Sequence, residues 1–463
     1  MRCTASELAE FLGAELVGPD VAIDGASIDS RTIRAGQLYA PIVAERDGHA
    51  YIPAALAAGA SAYLTAKEPA GGTAIRVHGS TAAALLRLGA FARGRVGGAI
   101  GVTGSVGKTT TKDLLAGCLA TTFRTAATVG SLNNELGLPL TLLNAADATH
   151  WVVLEMGAKR VRDIAKLAQV ASPDVGVVTS VAMAHVQYFG SLEGVARAKG
   201  ELIAALPPEG LAVLNFDDPR VRRMAKLAAC PVLGYAVGAS GGGRSRGAGD
   251  GAAAEVRADR ITVDRDLRPR FHLFSPWGEA DVRLATSGVH QVPNALAAAT
   301  AALWCGVPIE AVAETLAASP GSPMRMDVHR LPGLPLLIVD CFNAIPASTE
   351  AAVRALAALQ GRRRLALLGL MAELGEESEA EHRRIAAVAE ELGIEVVGYG
   401  TDLYGGASVT GVDQAVALLR TLGPLDAALI KGSRSVRLDD VVRAYGAAEG
   451  VPALAGAELA THA

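Results

Sequence analysis

GAIGVTGSVGKTTTK, residues 98–112, decides the fold. Its apolar start predicts a strand over Ala99–Thr103. A glycine-rich turn then closes on Gly107-Lys108-Thr109-Thr110, and a helix start is read at Lys112-Asp113-Leu114-Leu115. Glycines let backbone N–H groups approach a phosphate, and a helix N-terminus adds a favourable dipole. Lys108 brings a cation and Thr109 a hydroxyl for magnesium. Gly104, Ser105, Gly107, Lys108, Thr109 and Thr110 are therefore the expected residues around a nucleoside triphosphate. Five residues separate Gly101 from Gly107, one more than in the common phosphate loop. A plain turn before a helix has the same composition, but strand and helix signals on both sides favour the phosphate loop.

Outward from this loop, short apolar runs alternate with helical segments. Trp151–Leu154, Val175–Thr179 and Leu211–Leu214 read as strands, so a parallel α/β sheet is expected. The first of these ends in Glu155. A carboxylate at the carboxyl end of a strand beside a phosphate loop can reach a metal ion. Strands are predicted again at Leu336–Val339, Arg364–Leu368, Glu395–Tyr399 and Ala427–Ile430. Helices over Ser348–Leu359, Ser378–Leu392 and Val412–Leu422 lie between them. Before the phosphate loop, short strands alternate with turns, and a small helix spans Ile52–Ala60. Three α/β domains are expected, over 1–95, 96–316 and 317–463. The low-complexity run 238–254 reads as a flexible surface loop.

Bulk composition narrows the function classes. Half of the 463 residues are hydrophobic but only 4% are aromatic, so Ala, Val and Leu must do most of the packing. Net charge is −4, and the basic residues are scattered without aromatic neighbours, which argues against a nucleic-acid partner. Five dispersed cysteines without a CxxC pair suit a reduced protein and not a disulfide or zinc framework. Glu7, Glu10 and Glu15 break any basic-then-apolar leader. The uncharged stretch Leu284–Ile309 contains His290, Gln291, Pro293 and Asn294, and reads as a buried helix from Asn294 to Cys305, not as a membrane span. A cytoplasmic, monomeric protein that touches no membrane is expected.

The phosphate-loop pattern Gly104-Ser105-Val106-Gly107-Lys108-Thr109 resembles that of the Mur ligase family. So, in order, do Asp29-Ser30-Arg31, Gly36-Gln37-Leu38, Asn133-Asn134-Glu135, Gly137-Leu138-Pro139 and 179–203 (TSVAMAHVQYFGSLEGVARAKGELI). The pattern continues through 288–299 (GVHQVPNALAAA), Ser322–Asp327 and Lys431–Ser435. The resemblance implies a central ATPase sheet flanked by a uridine-nucleotide domain and a Rossmann-like C-terminal domain. It implies ATP and two magnesium ions, held by Thr109, Glu155, His185 and Lys199. Lys199 matches the lysine that the family carbamylates, which turns an amine into an anionic, bidentate ligand. Lys108, Lys199 and His185 become the expected catalytic residues. His290, Asn294, Arg325 and Asp340 are expected at the nucleotide. Ser30, Arg31, Asn133, Asn134, Asn343, Lys431, Ser433 and Arg434 are expected at the substrates, a nucleotide-peptide carboxylate and an amino-acid or dipeptide amine.

The likeness is greatest to the branch that adds D-alanyl-D-alanine to UDP-N-acetylmuramoyl-tripeptide through an acyl-phosphate. It weakens in 337–348, LIVDCFNAIPAS, where Val339, Cys341, Phe342 and Ile345 replace polar or hydroxyl-bearing residues. Leu370 stands where Asp is usual, Met324 where Gly is usual, and Gln291 where Asn is usual. These changes imply altered nucleotide or acceptor recognition. They keep two alternatives open: a divergent ligase joining another amine to another carboxylate, and a nucleotide-binding partner protein with weakened catalysis.

Overall fold

The computed structural model describes residues 1–69, 71–183, 186–238, 253–359 and 361–455. The predicted surface loop lies almost wholly outside them. Strand Gly98–Thr103 is fully buried and lies third from one edge of a nine-stranded sheet. It pairs in parallel with Trp151–Glu155 on one side and Val175–Val178 on the other. Thr125–Ala127 extends the first side; Leu211–Asn215, Val232–Val237 and Val256–Val263 extend the second, all in parallel. Strand order therefore reverses at Gly98–Thr103. A crevice at the carboxyl ends of the strands is where such sheets bind ligands.

Pro269–Ser275 and Gly278–Arg283 complete the sheet as an antiparallel meander. The four strands from Val232 onward escape the sequence reading. In the last three, outward positions carry Arg, Asp, His and Glu, so the apolar signal survives only at about every second residue.

The helix after the loop spans Lys108–Ala120 and begins four residues earlier than the sequence suggests. Three consecutive threonines are poor helix formers. Gly107, in the left-handed region at φ +85°, turns the chain into the helix, and burial of Thr109, Thr110 and Thr111 outweighs propensity. The Ala-rich helix likewise starts early, at Gln291, and runs to Trp304 with Pro293 in its first turn. It packs on Lys108–Ala120 through a face of buried alanines. No helix among the described residues is long and apolar enough to cross a membrane.

The first 95 residues build a mixed five-stranded sheet in the order Glu15–Val17, Ala74–Arg76, Ala62–Thr65, Leu38–Tyr39, Ala26–Ser27. Their apolar core runs on into the central unit. Leu85 and Leu88 of helix Thr81–Arg93 join Leu138 and Leu142 of helix Gly137–Leu143 in one cluster. Gly89 permits the crossing, because a Cβ there would lie 2.8 Å from that of Pro139. Asn144 stitches the same interface: its Oδ1 accepts from Gln37 Nε2 at 3.0 Å and its Nδ2 donates to Ala26 O at 2.8 Å.

The C-terminal sheet has the order Asp327–His329, Leu336–Asp340, Ala427–Lys431, Arg364–Gly369, Glu395–Tyr399, Ser408–Val409. All its pairs are parallel except the first. Leu267, from a turn of the central unit, is buried in this sheet's core, and Arg330 Nε meets Asp266 beside it at 3.1 Å.

Leu138→Ala opens a cavity in the core shared by the first two units and is expected to cost about 2–5 kcal/mol. Denaturant unfolding measures it; an unchanged midpoint would show that the two units do not depend on this contact.

Candidate active site

A cleft of about 540 Å³ opens at the carboxyl end of the central sheet. Gly104, Ser105, Lys108, Asn133, Asn134, Gly157 and Lys199 line it, together with Lys159, Arg160, Asp163 and Lys166. The phosphate loop forms its floor and is tied to the segment after Val175–Val178. Ser105 N donates to Ser180 O at 2.9 Å, and Ser105 Oγ to Ala182 O at 3.0 Å. Ser105 therefore has both its hydroxyl and its backbone N–H engaged. Cβ atoms on Gly104 and Gly107 would collide with Thr179 Oγ1 and Asn294 Oδ1. Only glycine lets the loop lie this close to its neighbours.

Lys108 Nζ folds back onto Gly104 O at 2.8 Å. Burial lowers its pKa; Glu155 opposes that shift and Arg325 adds to it. Lys199 is 3% exposed, and its pKa falls to about 7. Burial is the main cause and Lys108 adds repulsion, while Asp163, Glu155 and Glu201 pull the other way. Glu155 is 1% exposed. Its Oε1 accepts from Asn133 Nδ2 at 2.7 Å, and its Oε2 has no hydrogen-bond partner among the described residues. His185 lies outside those residues. Among them, no group of three His, Cys, Asp or Glu side chains is placed to hold a metal.

Arg325 reaches in from the C-terminal unit. Its Nη2 donates to Thr109 Oγ1 at 3.0 Å, its guanidinium stacks 4.1 Å from the Phe342 ring centre, and its buried Nε has no described partner. Met324 just before it is left-handed at φ +59°. A residue with a Cβ is strained there, which accounts for the glycine usual at this position. Asn294 Nδ2 donates to Gln291 Oε1 at 2.7 Å beside Gly107. His290 is half-buried and pushed below its usual pKa by burial, with Asp340 opposing and Lys431 reinforcing the shift.

Several expected substrate residues are engaged elsewhere. Arg31 points outward and pairs with Asp29 at 2.6 Å; neither it nor Ser30 lines the cleft. Lys431 is buried, bonded to Asp340 Oδ2 at 2.7 Å and Asn343 O at 2.9 Å. Asn343 is exposed, its side chain accepting from Ala344 N at 2.9 Å. Ser433 Oγ ties Ala344 O to Ala372 N. Arg434 pairs with buried Asp439 at 2.9 Å.

Val339, Cys341 and Ile345 are each at most 5% exposed, the first two inside the C-terminal core. These departures face packing, not the cleft. Sequence reading misses Lys159, Arg160 and Lys166, whose types carry no pattern, and Lys159's ion pair with Glu373 across the units at 3.1 Å.

Residues 102–302 match the Mur ligase middle domain, and residues 324–434 match the Mur ligase, glutamate ligase domain. The UDP-N-acetylmuramoyl-tripeptide–D-alanyl-D-alanine ligase of Mycobacterium tuberculosis is 41% identical over 74% of this chain and 72% of its own. The crystal structure of MurF from Acinetobacter baumannii superposes with a TM-score of 0.85 at 27% identity, covering 96% of this chain and 99% of that one. MurF from Thermotoga maritima, solved with ADP, superposes with a TM-score of 0.78 at 27% identity over 91% and 97%.

The depressed Lys199 has a consequence for stability. Its pKa falls from 10.5 to about 7 on folding, so the unfolded chain holds one more proton between those values, and stability rises with pH there. In carbon-dioxide-free buffer, the unfolding free energy of the wild type relative to Lys199→Met is expected to increase from pH 7 to about pH 10. A difference that stays flat would contradict the depressed amine.

Proposed function

This chain belongs to the Mur ligase family and is an ATP-dependent, ADP-forming ligase, and we propose that it joins D-alanyl-D-alanine to UDP-N-acetylmuramoyl-tripeptide. The observation that carries this reading is its end-to-end likeness to an enzyme of that activity, 96% of this chain against 99% of the other. We read it as a cytoplasmic monomer with small-molecule substrates and no nucleic-acid partner. Its domains follow the divisions 1–95, 96–316 and 317–463.

The residues present suit a triphosphate and its cations. Glu155 Oε2 and Arg325 Nε are buried polar atoms without a described partner, and the loop is bare at Gly104 and Gly107. In this reading Thr109, Glu155, His185 and Lys199 hold magnesium. Bound magnesium would neutralise phosphate charge and polarise the reacting phosphorus.

The donor's carboxylate oxygen attacks the γ-phosphorus of ATP. The bond to the β,γ-bridging oxygen breaks and ADP leaves with that electron pair. The dipeptide's amine nitrogen then attacks the acyl carbon, the bond from that carbon to the phosphate oxygen breaks, and the nitrogen gives up a proton. Lys108 and Arg325 hold the charge that builds on the phosphoryl oxygens. In this reading His290, Asn294 and Asp340 border the nucleotide, and Lys431 fixes the Asp340 carboxylate. Contacts such as Lys159 to Glu373 bring that unit over the cleft, where it shields the acyl-phosphate from water.

A Lys199 amine with a pKa of about 7 is substantially neutral at physiological pH. Its lone pair can add to carbon dioxide with loss of a proton, giving a carbamate with two anionic oxygens. That chemistry would supply two anionic oxygens in addition to the Glu155 carboxylate. Val339, Cys341 and Ile345 are taken up by packing, whereas Phe342, the other departure in that run, keeps its ring against Arg325. The presence of Lys108, Glu155 and Lys199 together opposes the non-catalytic alternative.

Purified enzyme with ATP, UDP-N-acetylmuramoyl-tripeptide and D-alanyl-D-alanine is expected to give the pentapeptide product by mass spectrometry. Failure with that pair, alongside ligation of another carboxylate and amine, would overturn the substrate assignment. Lys108→Ala should abolish ATP turnover while leaving the fold intact by circular dichroism; wild-type turnover would refute the phosphate-loop assignment. Lys199→Ala should be nearly inactive and regain activity in part with short carboxylic acids. An unmodified lysine in a high-resolution map from bicarbonate-grown crystals would refute the carbamate.

A further inference from the structure

Lys112 carries a charge that the reaction does not use. It sits on the second turn of the phosphate-loop helix and is 2% exposed. A lysine is almost never buried to this degree without partners. Its Nζ donates to Thr128 O at 2.7 Å and lies 3.5 Å from Gly130 O and 2.5 Å from Asp113 Oδ1. Two of these contacts are backbone carbonyls at the start of one loop.

That loop ends at the metal-facing carboxylate. Thr128 Oγ1, in a residue itself 2% exposed, accepts from Glu155 N at 3.1 Å. Further along, Asn133 Nδ2 donates to Glu155 Oε1 at 2.7 Å, and Asn133 O accepts from Gly157 N at 2.8 Å. Gly157 leaves room for this approach, since a Cβ there would come 2.6 Å from Asn133 Oδ1. Glu155 is thus held at its backbone by Thr128 and at one oxygen by Asn133. Its other oxygen is the one without a described partner.

We propose that Lys112 is a positioning residue for Glu155: it fixes the Thr128–Asn133 loop so that Asn133 engages one carboxylate oxygen and the other is presented to a divalent cation. Asn133, expected from the sequence to touch the substrate, becomes part of that support. The inference rests on the reading of Glu155 as a metal-facing residue. The physical reason is economy of orientation. A free carboxylate can rotate, whereas one with an oxygen engaged offers the other along a fixed direction, and supports of this kind typically change metal affinity 10–100-fold when removed.

The test uses the full-length enzyme and three variants. Lys112→Met keeps the length of the side chain and removes its charge. It is expected to raise the magnesium concentration for half-maximal rate by about tenfold or more, with the KM for the UDP-linked substrate little changed. Hydrogen–deuterium exchange of the 128–134 peptide, measured without metal or nucleotide, is expected to speed up. Asn133→Ala, at a partly exposed loop position, tests the same path if Lys112→Met does not fold, and should reproduce the magnesium effect.

Lowered stability of Lys112→Met, with exchange over 128–134 and magnesium dependence both unchanged, would reduce Lys112 to a packing residue and overturn the proposal. So would an Asn133→Ala variant that raises only the KM for the UDP-linked substrate. Glu155→Gln separates the two levels. Unchanged magnesium dependence in that variant would refute the metal-facing reading itself, whatever the other two variants show.

Discussion

Crowding of positive charge out of water is the constraint on which the rest of this structure depends. Lys108, Lys199 and Arg325 surround Glu155, and burial lowers the pKa of all three cations. Glu155 opposes the shift of all three, Asp163 and Glu201 act on Lys199, and Asp340 and Asp113 act on Arg325, yet burial outweighs them. Such an arrangement is unfavourable until an anion arrives, because a buried charge needs a partner. A triphosphate supplies that partner, and Lys199 relieves its own share of the repulsion by losing a proton. Elsewhere the chain balances its buried cations internally: Lys431 against Asp340 and Lys112 against Asp113 and two carbonyls. Lys108 and Lys199, by contrast, line the cleft, where a bound triphosphate would face them.

The fold brings these groups together by topology. Reversal of strand order at Gly98–Thr103 opens the crevice, and Glu155 ends the neighbouring strand. Arg325 comes from a different unit and meets Thr109 on the first turn of the phosphate-loop helix. Asp113 on the next turn bonds Ser322, just ahead of Arg325 in the chain. The helix that opens the nucleotide site therefore also anchors the C-terminal unit. On the far side, Leu267 in the C-terminal core and Arg330 on Asp266 give that unit a second hold. Two separated contacts of this kind define how the third unit sits over the cleft.

Much of this was legible in the sequence, for reasons that differ by residue. The phosphate loop is local: glycines, a lysine and hydroxyls at fixed spacing after an apolar run state their chemistry directly. The parallel strands Gly98–Thr103, Trp151–Glu155, Val175–Val178 and Leu211–Asn215 were legible because strands buried on both faces are continuously apolar. The antiparallel meander over 269–283 was not, since only alternate residues are buried there. Side-chain pairing was the least accessible layer. Asn133, Lys431 and Ser433 are expected from the sequence at the substrates, and no local pattern tells that they bond Glu155, Asp340 and two loop backbones. Those partners are 22 to 91 residues away in the chain. Lys112 gave no signal at all, because a lysine in a helix is ordinarily a solvated one.

The most direct test of the account follows oxygen from the donor carboxylate. The UDP-linked tripeptide is labelled with oxygen-18 in its terminal carboxylate and ligated in unlabelled water, and the inorganic phosphate is analysed by mass spectrometry. Attack of that carboxylate on the γ-phosphorus predicts one labelled oxygen in the phosphate for each amide bond formed, with the other retained in the amide carbonyl. Unlabelled phosphate released in step with product would mean that no acyl-phosphate forms, and would contradict the reading of this cleft as a carboxylate-activating site.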